Sequence, residues 1–72
     1  MKIAHYPETD SLYIDLSSNE SVESKEVSPG VVLDYDSEGT LVGIDMDNAS
    51  NKLDLRELVF NRIPTNKHTI AV

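Results

Sequence analysis

The feature that most constrains this chain is the stretch Gly30 to Met46, GVVLDYDSEGTLVGIDM, in which two strand-like runs flank Asp36-Ser37-Glu38-Gly39. Asp at the first and Gly at the fourth of those positions suits a type I turn closed by a glycine at positive φ, where the missing Cβ removes the usual clash. The pattern predicts a β-hairpin whose first arm carries Val31, Leu33 and Tyr35 on one face. On the return arm Val42, Ile44 and Met46 alternate with Leu41, Gly43 and Asp45. A glycine inside a strand marks a bulge or the close approach of another element, and a helix packed over Gly43 is the expected cause.

The remaining segments read as strands first and a helix last. Lys2 to Tyr6 is a short strand punctuated by Pro7-Glu8-Thr9-Asp10, because proline lacks the N–H that a ladder needs. In Ser11 to Ser17, Leu12, Ile14 and Leu16 alternate against Tyr13, Asp15 and Ser17, which predicts a strand with one wet face. Val22 to Val27 holds Glu23, Ser24, Lys25 and Glu26, little of which can be buried, and suits a sheet edge. Ser50 to Phe60 predicts a helix. Asn48, Ser50 and Asn51 are candidate N-caps, Leu55, Leu58 and Val59 form an apolar stripe, and Leu53, Phe60 and Ile63 widen it. Pro64 ends that helix by about Arg62, and residues 61–72 form either a tail or an added strand. Short connections favour antiparallel neighbours. The expected fold class is therefore α+β, a single domain over residues 1–72. It is an antiparallel β-meander of about four to five strands with one C-terminal helix on its apolar face.

Seventy-two residues allow one small core, and a domain of this size buries only about 60% of its unfolded surface. There is no cysteine to staple it, which fits a reducing cytosol, so a cytoplasmic location is expected and a homodimer is the remaining way to enlarge the core. No apolar run is long enough for a membrane span. Thirteen acidic and six basic side chains give a net charge of −7, which repels a phosphate backbone, so no nucleic-acid partner is expected. The charge is unevenly spread. Residues 1–48 hold eleven acids and two lysines, a net −9, whereas residues 49–72 hold two acids and four bases, a net +2.

Three segments carry a family resemblance: His5-Tyr6-Pro7-Glu8-Thr9-Asp10-Ser11-Leu12-Tyr13-Ile14, then Pro29 to Asp36, then Gly39 to Asp45 with Ala49-Ser50 after it. In this order they resemble the DUF2283 family over roughly residues 2–60. The resemblance implies a small, mostly bacterial protein without an assigned activity. Family members encoded beside small toxin-like proteins imply an antitoxin or partner-binding role. No catalytic residue is carried over.

The sharpest chemical motif is an acidic run. Asp34, Asp36 and Glu38 sit at alternate positions, Gly39 follows, and Asp45 comes after five intervening residues. That spacing approaches the calcium-loop pattern D-x-[DN]-x-[DN]-G-x5-E, in which carboxylates wrap a hard cation. The flanks are strand-like rather than helical, and a turn with solvated carboxylates explains the same letters. His5 and His68 are the only imidazoles, no nucleophile elbow or phosphate loop is present, and no cofactor or enzyme activity is expected. Tyr13, with Asp15 on the same side of its strand, is the candidate partner contact, unless it packs on a cross-strand neighbour such as Val32. The leading expectation is a non-catalytic interaction module, antitoxin-like or regulatory, whose acidic surface would suit a small basic protein. The alternative is weak divalent-cation or small-ligand binding at Asp34, Asp36, Glu38 and Asp45.

Overall fold

The computed structural model of the chain describes residues 1–62 and 66–71. Its larger sheet has five strands, β1 (Lys2–Tyr6), β2 (Ser11–Asp15), β3 (Glu23–Ser28), β4 (Val31–Tyr35) and β5 (Leu41–Met46), all paired antiparallel in the order β1-β2-β5-β4-β3. A single helical turn, α1 (Ala49–Lys52), follows. Two further strands, β6 (Glu57–Arg62) and β7 (Asn66–Ala71), then form a separate antiparallel hairpin.

The strand order departs from the simple meander that short connections predict. The polar segment between β2 and β3 does not turn back on β2 but carries the chain to the far edge of the sheet. Burial explains the choice. Every residue of β3 is exposed, so it gains nothing from a central place, whereas β5 brings Val42 and Ile44 to the middle. The edge position of the charged strand thus follows from its composition.

The central turn forms as its residues dictate. The Gly39 N–H donates to the Asp36 carbonyl at 3.1 Å, and Gly39 has φ +80°. The Asp36 carboxylate folds into the turn, where its Oδ1 accepts the Glu38 and Thr40 backbone N–H groups at 2.9 Å each. Its Oδ2 accepts Asn19 Nδ2 at 3.1 Å. These donors, with the Thr40 N–H first among them, hold the Asp36 carboxyl below the usual carboxylate range.

Gly43 marks both a bulge and a close approach. The register between β4 and β5 shifts between Asp34 and Tyr35, beside Gly43. The approaching group, however, is the Tyr13 side chain from the neighbouring strand, not a helix. A Cβ at Gly43 would lie 2.0 Å from the Tyr13 Oη and 2.7 Å from its Cζ. Tyr13 thus crosses over the glycine of β5, and its hydroxyl donates to Asp34 Oδ2 on β4 at 3.1 Å. Ser24 on β3 donates to the other oxygen, Oδ1, at 2.7 Å. This polar chain links β2, β4 and β3 and passes over β5.

The expected helix over Ser50 to Phe60 is replaced by one turn and a strand. Asn48 starts α1 but stands at φ +50° and makes no capping bond with its own side chain. After Leu53 the Asp54 carboxylate accepts the Arg56 backbone N–H at 3.0 Å, a local bond that competes with helix continuation. Beyond it Val59 and Phe60 favour extended backbone, and residues 66–71 supply the strand that pairs with them. Residues 66–71 are therefore an added strand rather than a loose tail. Ile63, read from the sequence as widening the apolar stripe, and Pro64, read as ending the helix by about Arg62, lie outside the described residues.

The core is thin. Among the described residues only Leu12, Val42 and Ala49 are buried apolar side chains, and no large side chain is fully enclosed. The Tyr13 crossing has a measurable consequence. Gly43→Ala in the wild-type background displaces the Tyr13 ring and should destabilise the fold by about 1–3 kcal/mol. In a Tyr13→Ala background the same change should be neutral or stabilising by roughly 0.5–1 kcal/mol, because alanine orders a strand at lower entropic cost than glycine. Urea unfolding of the four proteins in this cycle checks it. Equal effects in the two backgrounds would remove the proposed steric coupling.

Candidate functional site

Strand alternation sorts the sheet into two faces. On one, paired positions run Ile3–Ile14–Ile44–Leu33 across β1, β2, β5 and β4, and a second row runs His5–Leu12–Met46–Val31. This apolar face is where a covering element is expected, and its cover is incomplete. A cleft of about 680 Å³ separates Ile3, His5, Leu12 and Ile14 on the sheet from Leu53, Leu55 and Leu58 of the segment leading into β6. Ile3 is 47% exposed and Leu58 40%. The clefts that bind partners or ligands are concave, largely apolar and carry few polar groups, and this one has His5, Asp54 and Glu57 at its margin.

One carboxylate positions the rim of the cleft. Asp10, at φ +52° in the β1–β2 turn, accepts from Ser50 Oγ at 2.6 Å through Oδ2 and from the Ser50 N–H at 3.2 Å through Oδ1. Its carbonyl accepts the Ala49 N–H at 2.9 Å, so the turn caps the start of α1 from outside. His5 Nε2 lies 3.1 Å from Asp10 Oδ1. The serine meets the carboxylate rather than the imidazole, so the three side chains do not form a nucleophile-activating relay. The Lys52 ammonium donates to the Asp47 carbonyl and closes the other side of the helical turn.

The opposite face is polar and acidic. Tyr13 lies on it, as the alternation predicts, but half-buried rather than standing free, with its hydroxyl engaged by Asp34. Burial raises the Tyr13 pKa first, and the Asp34 bond and the charges of Asp34, Asp15 and Asp45 raise it further. Asp15 sits in β2 opposite Lys2 on one side and Gly43 on the other. Tyr13 packs over the open backbone of Gly43.

The acidic run read as a cation loop is dispersed. Asp34 bonds to Tyr13 and Ser24, Asp36 turns inward to cap its own hairpin, and Glu38 and Asp45 are exposed on separate parts of it. Among the described residues no three acidic or histidine side chains converge to hold a metal ion. Of the four carboxylates read as cation ligands, Asp34 and Asp36 are engaged in hydrogen bonds of the fold. The cleft and the Asp10 cap escape notice in the sequence. The only trace of them is the Ile3/His5 alternation in a five-residue strand.

Asp10 supplies a pH-dependent test. Its hydrogen bond from Ser50, followed by that from His5, lowers its pKa below 3.8. A lowered carboxylate contributes stability at pH values above its unfolded pKa and loses it as pH falls through the still lower folded value. Asp10→Asn, which removes the charge and tolerates the left-handed backbone, should therefore speed amide exchange at Ser50 at pH 6, and the difference from wild type should shrink as pH falls through the lowered folded pKa. Exchange at this amide that ignores the substitution would show that the carboxylate carries no weight in the cap.

Among the described residues, no helix is long and apolar enough to cross a membrane. No curated protein and no solved structure matches the chain. A family model described as "Protein of unknown function (DUF2283)" matches residues 2–50, which span the whole five-stranded sheet and the start of α1. The match covers more than half of the chain and takes in Gly39, Gly43, Tyr13, Asp10 and Ser50, and the chain belongs to the DUF2283 family.

Proposed function

We propose that the protein is a non-catalytic interaction module, acting in the cytosol, that meets a protein partner through the open apolar face. The observation that carries this reading is the cleft between the sheet and the Leu53–Leu58 segment. It joins exposed aliphatic side chains into one concave surface, and exposed apolar area of that kind marks contact sites. The polar groups beside the cleft act in hydrogen bonding and capping, which suits a regulatory contact better than chemistry.

A photo-crosslinking amino acid in place of Ile3 tests the reading in cells of the native source. Adducts are expected at position 3 and not at position 38, which lies on the exposed turn of the central hairpin. Equal labelling at both positions would overturn it.

The acidic face supports a second reading, an antitoxin-like contact with a small basic protein. Asp15, Asp34 and Asp45 surround Tyr13 closely enough to raise its pKa, and such a field speeds encounter with a cationic surface. Asp15→Lys with Asp45→Lys should abolish low-salt capture of such a partner while leaving the fold intact by circular dichroism. Unchanged capture would remove this reading.

A further inference from the structure

We propose that the occupant of the apolar cleft is a second copy of this chain, with the β6–β7 arm of each protomer laid against the sheet face of the other about a two-fold axis. This rests on the reading of the face as a protein contact surface and names the partner.

Three observations support it. The first is area. The chain exposes 5607 Å². A compact monomer of 8.0 kDa is expected to expose about 4450 Å², so the excess is on the order of 1150 Å². A stable interface takes about 800 Å² from each partner, so the surplus is of the size one protomer contributes to a dimer. The radius of gyration agrees: 13.6 Å, against about 11 Å for a compact chain of this length.

The second is the shape of the surplus. β6 and β7 pack on each other, and neither forms a substantial contact with a strand of the larger sheet. Leu58 and Val59 on β6 stay 40% and 39% exposed, while Ile3 on the sheet stays 47% exposed. The chain thus carries both halves of an apolar contact, an arm and a face, and its own arm leaves the cleft unfilled. An arm that fits its own sheet poorly can fit a neighbour's, and the reciprocal exchange closes the assembly at two copies.

The third is charge. The arm belongs to the segment 49–72 with net +2, whereas residues 1–48, which make the sheet, carry net −9. Two copies approaching face to face would repel. A net-positive arm meets less long-range repulsion from an acidic sheet than a second sheet would.

Sedimentation equilibrium of the purified full chain at tens of micromolar should return about 16 kDa, twice the chain mass. Leu58→Glu in the arm and Ile3→Lys on the sheet should each raise the dimer dissociation constant by at least about tenfold. Mixing the two variants should restore dimers. The mixture keeps one native arm-to-face contact and gains a Glu–Lys pair at the other, and recovery also proves that both variants fold. A wild-type mass of 8.0 kDa at 100 µM, or variants that stay monomeric when mixed, overturns the proposal. A monomer whose cleft takes up an apolar small molecule overturns it too. A monomer that still crosslinks through position 3 to a different protein overturns the second copy and leaves the interaction reading standing. A monomer with no adduct at position 3 overturns both.

Discussion

The sheet depends on one crossing. Tyr13 leaves β2, passes over the bare backbone of Gly43 on β5 and delivers its hydroxyl to Asp34 on β4, whose other oxygen holds Ser24 on β3. An aromatic ring on the polar side of a sheet would ordinarily compete for space with the side chain diagonal to it. Here there is none, and the ring shields the ladder beneath it from water. The ring also accounts for much of the order among strands whose apolar face buries only a few side chains. A fold with so small a core draws its specificity from a polar surface network, which demands particular partners where aliphatic packing would accept many.

The two faces therefore have different physical roles. On the polar face Asp34 accepts from Tyr13 and Ser24, and the turn carboxylate of Asp36 accepts from backbone donors at the hairpin tip. The apolar face is where the molecule is unfinished, with the cleft framed by Ile3 and Leu58 and its rim fixed by the Asp10 cap on α1. An acidic composition and an open aliphatic surface coexist because charge is concentrated on the side that needs no partner for stability.

How much of this was legible in the letters depended on whether the cause was local. The turn at Gly39, the edge position of β3 and the special status of Gly43 follow from demands that a few neighbouring residues make on their own backbone. The DUF2283 resemblance was legible for the same reason, since it rests on runs of contiguous residues. The cover over Gly43 was not, because Tyr13 lies thirty positions away and reaches it only when β2 pairs with β5. The segment after α1 misled for a different reason. Leu55, Leu58 and Val59 fit a helical stripe, but Leu58 and Phe60 fit strand alternation equally well, and a short apolar run cannot decide between the two periods. What decided it was a strand partner at residues 66–71, together with the Asp54 side chain bonding to its own backbone neighbourhood. The acidic run reads two ways because hydrogen bonding within the fold and cation binding use the same carboxylates, and spacing alone does not reveal which donors reach them.

The order of the strands also sets a sequence of events in time. β1–β2 and β3–β4–β5 are each built from neighbouring hairpins, which close on a scale of about 1–10 µs. The β2–β5 seam joins residues from 28 to 34 positions apart, so it alone must wait for a long loop to close. Tyr13 straddles that seam, and Gly43 leaves the landing place clear. Docking of two preformed halves is then the slow step of folding, and the tyrosine acts as the latch that keeps them from parting.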